Sequence, residues 1–206
     1  MITDILQKLS KEDQTKIVRT NEPDWTEPML AYLEHNLFFD KNWFYERKFD
    51  GERCLAFIKG NEVRLRSRNN KPLNASYPEI QQALGSSINT SCILDGEVVA
   101  FKGNNTSFEK LQQRMQLRDK QEAMHTGIAV YYYIFDILYL DHYDITRLPL
   151  KTRKKYSKQL FLSKAIFVIR LIVSITVSSI INMHMIMAGK VSCARIRRAR
   201  TSMFAR

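Results

Sequence analysis

Three apolar runs of strand character limit what this chain can fold into: "ERCLAFIKGNEVRLRSRN" at 52–69, "SCILDGEVVAF" at 91–101 and "GIAVYYYIFDILYL" at 127–140. The first reads as a hairpin, with Cys54–Ile58 and Val63–Arg66 flanking the turn "KGNE". Trp43–Lys48 alternates and is aromatic, which adds a further strand. Strands joined by short polar turns pair antiparallel. Helical spacing lies around and between them. Residues 2–18 place Ile2, Ile5, Leu6 and Leu9 on one face, and Ser76–Leu84 places Tyr77, Ile80 and Leu84 together. "TSFEKLQQRMQLRDKQ" reads as one amphipathic helix with Ser107 as its N-cap, and "LPLKTRKKYSKQLF" starts a charged helix. The expected class is α+β, with mainly antiparallel sheets and flanking helices.

Charge says less than its total suggests. The chain of 206 residues carries a formal +11. Residues 160–206 hold 8 basic and no acidic side chains, leaving 24 basic and 21 acidic in residues 1–159. A nucleic-acid partner therefore has to be argued from position rather than from the net charge. Three cysteines, Cys54, Cys92 and Cys193, stand without metal-ligand spacing and fit a reducing compartment.

The segment "FYERKFDGERCLA" at 44–56 sets Lys48, Asp50 and Arg53 around Gly51, where one strand ends and the next begins. A lysine at a strand end is usually a solvated charge. It becomes a nucleophile when burial, a metal or a neighbouring cation such as Arg53 favours the neutral amine. Arg53 is forked and permanently charged, which suits phosphate. Farther along, Arg68 follows a strand, Asp95-Gly96-Glu97 lies within another, and Phe135-Asp136 lies within a third. Taken singly, Glu97 reads as an outward strand residue and Phe135 as core. Together they offer a carboxylate for a hydroxyl or metal, an aromatic face for a base, and cations for phosphate.

These segments in this order resemble the nucleotidyltransferase (adenylation) domain of ATP-dependent DNA ligases, nearest the bacterial end-joining type. The resemblance rests on "PML", "ERKFDGERCLAF", "VRLRSRNNKPLNASYPEI", "ILDGEVVAF", "SFEKLQQRM" and "YYIFDILYLD…DITRLPLKTRK", over residues 28–160. It implies an ATP-grasp-like nucleotidyltransferase fold, incomplete at the C-terminus, with residues 1–27 as a helical extension. It implies that Lys48 attacks the α-phosphate of ATP and carries AMP through a phosphoramidate bond. Glu46 would sit at the adenine edge, Arg53 and Arg68 would contact ribose and phosphates, and Arg68 would also help place a DNA 5′-phosphate. Glu97 would bind the ribose or a magnesium ion, and Phe135 would stack on adenine. The implied partner is nicked or broken duplex DNA, together with a Ku-like end-binding protein, for a cytoplasmic monomer acting in repair and recombination. RNA ligases and capping guanylyltransferases share the K-x-D-G lysine, and a non-catalytic nucleic-acid-binding remnant is the alternative from another class.

Residues 161–206 change character. "LFLSKAIFVIRLIVSITVSSIINMHMIMAG" is β-branched and apolar, but Ala165–Ile181 is short for a membrane span and contains Arg170. The family continues with E-G-[IL]-[MV]-x-K, a strand bearing K-x-K and an OB-fold domain, none of which can be read here. The expectation is an altered tail, impaired activity and no detectable nick sealing. Reading the codons of Gly189–Arg195 from the third base of each permits E-G-[LIV]-[MLV]-[CR]-K-[DN], so a frame slip near Leu171 would explain the tail.

Overall fold

The computed structural model describes residues 8–30, 43–46, 48–161, 169–171 and 193–196. Its centre is three long antiparallel strands. In chain order the elements up to the first of them are α1 (Lys11–Gln14), β1 (Val18–Arg19), β2 (Trp43–Glu46) and β3 (Glu52–Lys59). There follow β4 (Glu62–Ser67), α2 (Pro78–Ser87), β5 (Cys92–Lys102), β6 (Asn105–Thr106), α3 (Phe108–Gln112) and α4 (Lys120–His125). The last are β7 (Val130–Leu140), β8 (Tyr143–Asp144), α5 (Leu150–Phe161), β9 (Ile169–Leu171) and β10 (Cys193–Ile196).

The main sheet runs β1-β8-β7-β5-β3-β4, with β6 added to β5 and β9 to β7. All its pairings are antiparallel except β9 on β7, where Tyr132–Ile134 meets Ile169–Leu171 in parallel. Period-two alternation divides the strands into two faces. Cys54, Ala56, Ile58, Val63, Leu65, Leu94, Val98, Ala100, Tyr132 and Ile134 point into the larger core. Ile80 and Leu84 of α2, Leu111 of α3 and Tyr156 of α5 close over them. The opposite face carries a smaller cluster, Leu55, Phe57, Ile93, Leu138 and Tyr139, with Trp25 packed on it. Beyond that cluster the same face turns polar, and there the site lies.

The expected hairpin, the strands at 91–101 and 127–140, and the helix after Ser76 are all present. The β7–β8 connection is a two-residue loop with Asp141 and His142 both at positive φ, the twist that favours tight hairpins. Two helices differ from expectation. Of the helix expected over 2–18, residues 1–7 lie outside the described residues, and the described part is helical only over Lys11–Gln14. Ser10 caps its start, and Val18–Arg19 then pairs with Asp144 and Tyr143 as a strand. β-Branched Ile17-Val18 favours the sheet edge over another helical turn.

The helix from Ser107 is also two helices. Ser107 caps the first as expected, accepting from the Lys110 amide. Gln116 adopts φ +73°, and Asp119 caps a new helix by accepting from the Glu122 amide. Arg114 explains the break, because its side chain is drawn inward to the carbonyls of Ser76 and Ile128 and to Glu79.

In the tail, β9 joins the main sheet and β10 pairs antiparallel with β2, Cys193 facing Glu46 and Ile196 facing Trp43. The rest of 162–206 lies outside the described residues. No helix among the described residues is long and apolar enough to cross a membrane.

Candidate active site

Strand register gathers most of the candidate residues. Arg53 on β3 faces Glu97 on β5, and Glu97 faces Tyr133 on β7. Ser67, the last residue of β4, faces Cys54, so Arg68 stands one step beyond the ladder at the Arg53 end. The row Arg53–Glu97–Tyr133 thus crosses three strands, with Arg68 in the turn beyond its β4 end.

The Lys48 segment is fastened to this row at two points. The Gly51 amide donates to Glu97 Oε1 at 3.0 Å, and the Phe49 ring packs on Tyr133 with centroids 4.3 Å apart. Only glycine can stand at 51. A Cβ there would lie 2.2 Å from the Val98 carbonyl oxygen, so the close approach of the two backbones depends on its absence. Gly96 serves the same end inside β5, where a Cβ would come within 2.5 Å of the Tyr132 ring and the Tyr133 carbonyl. The register shift between Asp95 and Gly96 re-aims the strand there.

Lys48 itself is exposed and pairs with Asp50 at 3.0 Å, the side chains being 57% and 62% accessible. Such an exposed pair contributes about 0–1 kcal/mol.

Arg53 is held far more firmly. Its Nε and Nη2 each lie 2.5 Å from an oxygen of Asp95, and Nη2 also donates to the Met29 carbonyl. Its guanidinium carbon stands 4.5 Å over the Phe135 ring. Burial opposes its charge, but the Asp95 carboxylate more than offsets this and raises Arg53 above its ordinary value. Glu97 is shifted up chiefly by burial, against the pull of Arg53 and the Gly51 amide. Phe135 is 5% exposed and carries the Arg53 guanidinium on its ring, so a base stacking on it must share the ring with that arginine. Glu46 is buried at the end of β2 and ion-pairs with Lys154 of α5. Arg68 is exposed in the turn after β4.

Two residues of the site were not read from the sequence as functional. Asp95 is visible in D-G-E, but only the side-chain contacts show that it anchors Arg53. Lys154 sat in what reads as a solvated basic helix, and no period-based signal marks a buried cation. Among the described residues no group of three or more His, Cys, Asp or Glu forms a metal cage. Magnesium does not require one, since it takes one or two carboxylates and completes its shell with water and substrate phosphates. The half-buried Glu97, beside the lysine and facing Arg53, fits that role.

The model of the ATP-dependent DNA ligase domain family matches residues 28–191. DNA ligase 2 of Haloquadratum walsbyi is 32% identical over 118 residues, which are 56% of this chain and 19% of that protein. DNA ligase C of Mycobacterium tuberculosis is 33% identical over 111 residues, 53% of this chain and 31% of the relative. The chain thus spans between about a fifth and a third of the length of these relatives. Among solved structures, a mycobacterial DNA ligase D complexed with ATP and MES superposes with a TM-score of 0.63 at 22% identity, over 85% of this chain and 53% of that one. That likeness establishes a shared fold, the antiparallel nucleotidyltransferase architecture with flanking helices. With most of its length matched by the family model, the chain belongs to the ATP-dependent DNA ligases.

Proposed function

We propose that this chain carries out the nucleotidyl-transfer step of an ATP-dependent DNA ligase. The neutral amine of Lys48 attacks the α-phosphorus of ATP. The N–P bond forms as the bond to the β-phosphate bridging oxygen breaks, pyrophosphate departs, and the amine releases one proton to solvent. AMP is left on Lys48, ready for transfer to the 5′-phosphate of a DNA break. The reading rests above all on the double fastening of the lysine segment, Gly51 to Glu97 and Phe49 to Tyr133. That fastening ties the lysine segment to Glu97, the residue opposite Arg53, and phosphate contact by Arg53 and Arg68 is part of the proposal.

The chain's own residues divide the work. Arg53, whose Nε–Nη2 edge is fixed by Asp95, would meet ribose and phosphate with Nη1, already held in place by that pair. Arg68, exposed beyond the end of the row, is suited to the DNA phosphate. Glu97 would hold Mg2+, which when bound neutralises phosphate charge and polarises the reacting phosphoryl group. Positioned cations and a metal, rather than acid–base groups, are what phosphoryl transfer needs. Incubation with α-labelled ATP and magnesium should leave label on the protein, α-labelled GTP should not, and Lys48→Ala should remove it. Labelling by GTP instead would favour a capping-type enzyme. No label, with salt-dependent retention of nicked DNA, would favour a binding remnant.

A further inference from the structure

The outer face of α5 carries charge that nothing beside it answers. Lys151, Lys155 and Lys158 stand at i, i+4 and i+7, so they share one side of the helix, and all three are exposed. Across from them is Lys8, also exposed, from the segment before α1. The four ammoniums line one hollow of about 590 Å³. Among the described residues none of the four has an ion-pair partner. The one acid in the lining, Asp13, is taken by Lys16 at 2.8 Å, and Lys154 at the inner wall is taken by Glu46. Lysines at these spacings repel one another. A basic helix face that bulges into solvent needs no ligand, but this one walls a concavity. Its other walls include Leu9, Phe44 and Tyr156, with Phe44 half-buried. Cations grouped around an aromatic ring are what a nucleic-acid strand requires, ammoniums for its phosphates and a ring face for a base.

We propose that this hollow is a second nucleic-acid contact, which grips the phosphates of an unpaired strand with Lys8, Lys151, Lys155 and Lys158 and sets one base of that strand against Phe44. A duplex keeps its bases stacked inside and would offer the hollow only its outer phosphates. An unpaired strand offers both phosphates and base faces. Lys8 lies before the residues that the ligase family model matches, so the hollow joins the family's fold to this chain's own N-terminal segment. Four residues lead from Phe44 to Lys48, at most about 14 Å of chain. At about 3.4 Å per phosphate along a strand, that is no more than roughly four nucleotides. A single-stranded end held here would therefore lie close to the lysine, a consequence that rests on the reading of Lys48 as nucleotidyl acceptor. Binding in the hollow does not depend on that reading.

Fluorescence anisotropy with a labelled oligothymidylate of about twelve nucleotides reads the contact without ATP or magnesium. The full chain carrying Lys151→Gln, Lys155→Gln and Lys158→Gln together should bind it at least about tenfold more weakly at low salt. Its slope of log affinity against log salt should be shallower by about 2, since each phosphate contact to a single strand contributes about 0.7. Phe44→Leu should weaken binding about tenfold and leave the slope unchanged, because stacking releases no counterions. A blunt duplex should respond to the lysines and not to Phe44. Should the triple variant not fold by circular dichroism, each single lysine variant should lower the slope by about 0.7. Unchanged affinity and slope in the folded lysine variants overturns the proposal. So does inorganic tripolyphosphate that displaces the oligonucleotide as well as an unlabelled copy does, which would mark a small-anion site. A Phe44→Leu loss as large for the duplex as for the single strand also overturns it. A chain that binds the oligonucleotide in this way but acquires no AMP supports the contact and contradicts the proposed reaction.

Discussion

Glu97 meets opposing demands. The proposed metal-binding role needs its carboxylate ionised, whereas burial disfavours the charge and raises its pKa. A carboxyl raised in the folded state contributes stability that is fully present below its unfolded pKa and is lost as pH rises through the raised folded value. Glu97→Gln can keep the acceptor for the Gly51 amide, so the unliganded variant should melt above the wild type at neutral pH. The difference should vanish at a pH below the ordinary carboxylate range. The same variant should lose about 10²-fold or more in lysyl-AMP formation. Thermal melts at both pH values and a labelling time course check the two halves. Gly51→Ala tests the other side of that contact. The added methyl meets the Val98 carbonyl oxygen at 2.2 Å, so backbone must move. The expected cost is about 1–3 kcal/mol in denaturant unfolding, with adenylation falling further than stability explains. Unchanged labelling by Gly51→Ala would show that the Gly51–Glu97 contact does not set the lysine's position.

Helix α5 shows what a period-based reading of an element can and cannot reach. Its sequence announces a basic helix, yet Arg153 and Lys154 are buried. Arg153 forms a bidentate pair with Asp136, both contacts at 2.8 Å, and also donates to the carbonyls of Thr146 and Leu148. Arg153→Met would leave Asp136 buried without its countercharge, and should cost roughly 3–5 kcal/mol in denaturant unfolding. A loss under 1 kcal/mol would mean that the pair is not what docks α5 on β7. The long strands and the β3–β4 hairpin were legible because their alternation is strong and their turns are short. The break at Arg114 was not, because "FEKLQQRMQLRDKQ" keeps helical spacing and only tertiary partners at Ser76, Glu79 and Ile128 pull the arginine inward. Lys48, Arg53 and Glu97 stood out through their order along the chain. Asp95 and Lys154 act through partners 42 and 108 positions away, since Asp95 holds Arg53 and Lys154 holds Glu46, and no local signal records such distances.

For the molecule as a whole, the unusual tail bears on how complete the domain is. Ile169–Leu171 pairs with β7 in the main sheet, whereas Cys193–Ile196 pairs only with β2 outside it. The gene read in the shifted frame beyond Leu171 should continue without stop codons to 195 and encode E-G-x-x-x-K at 189–194. A stop codon in that interval, or a different string, would rule out the slip. Such a slip would leave the lysine site itself intact, since Lys48, Arg53, Asp95, Glu97 and Phe135 all precede it. The most direct measurement is therefore peptide mass spectrometry of the wild-type chain after incubation with ATP and magnesium. The peptide containing Lys48 should gain one AMP, located on the Lys48 side chain, and Lys48→Ala should show none. AMP bound stably to a different lysine, or persisting in Lys48→Ala, would contradict the assignment of Lys48 as the nucleophile.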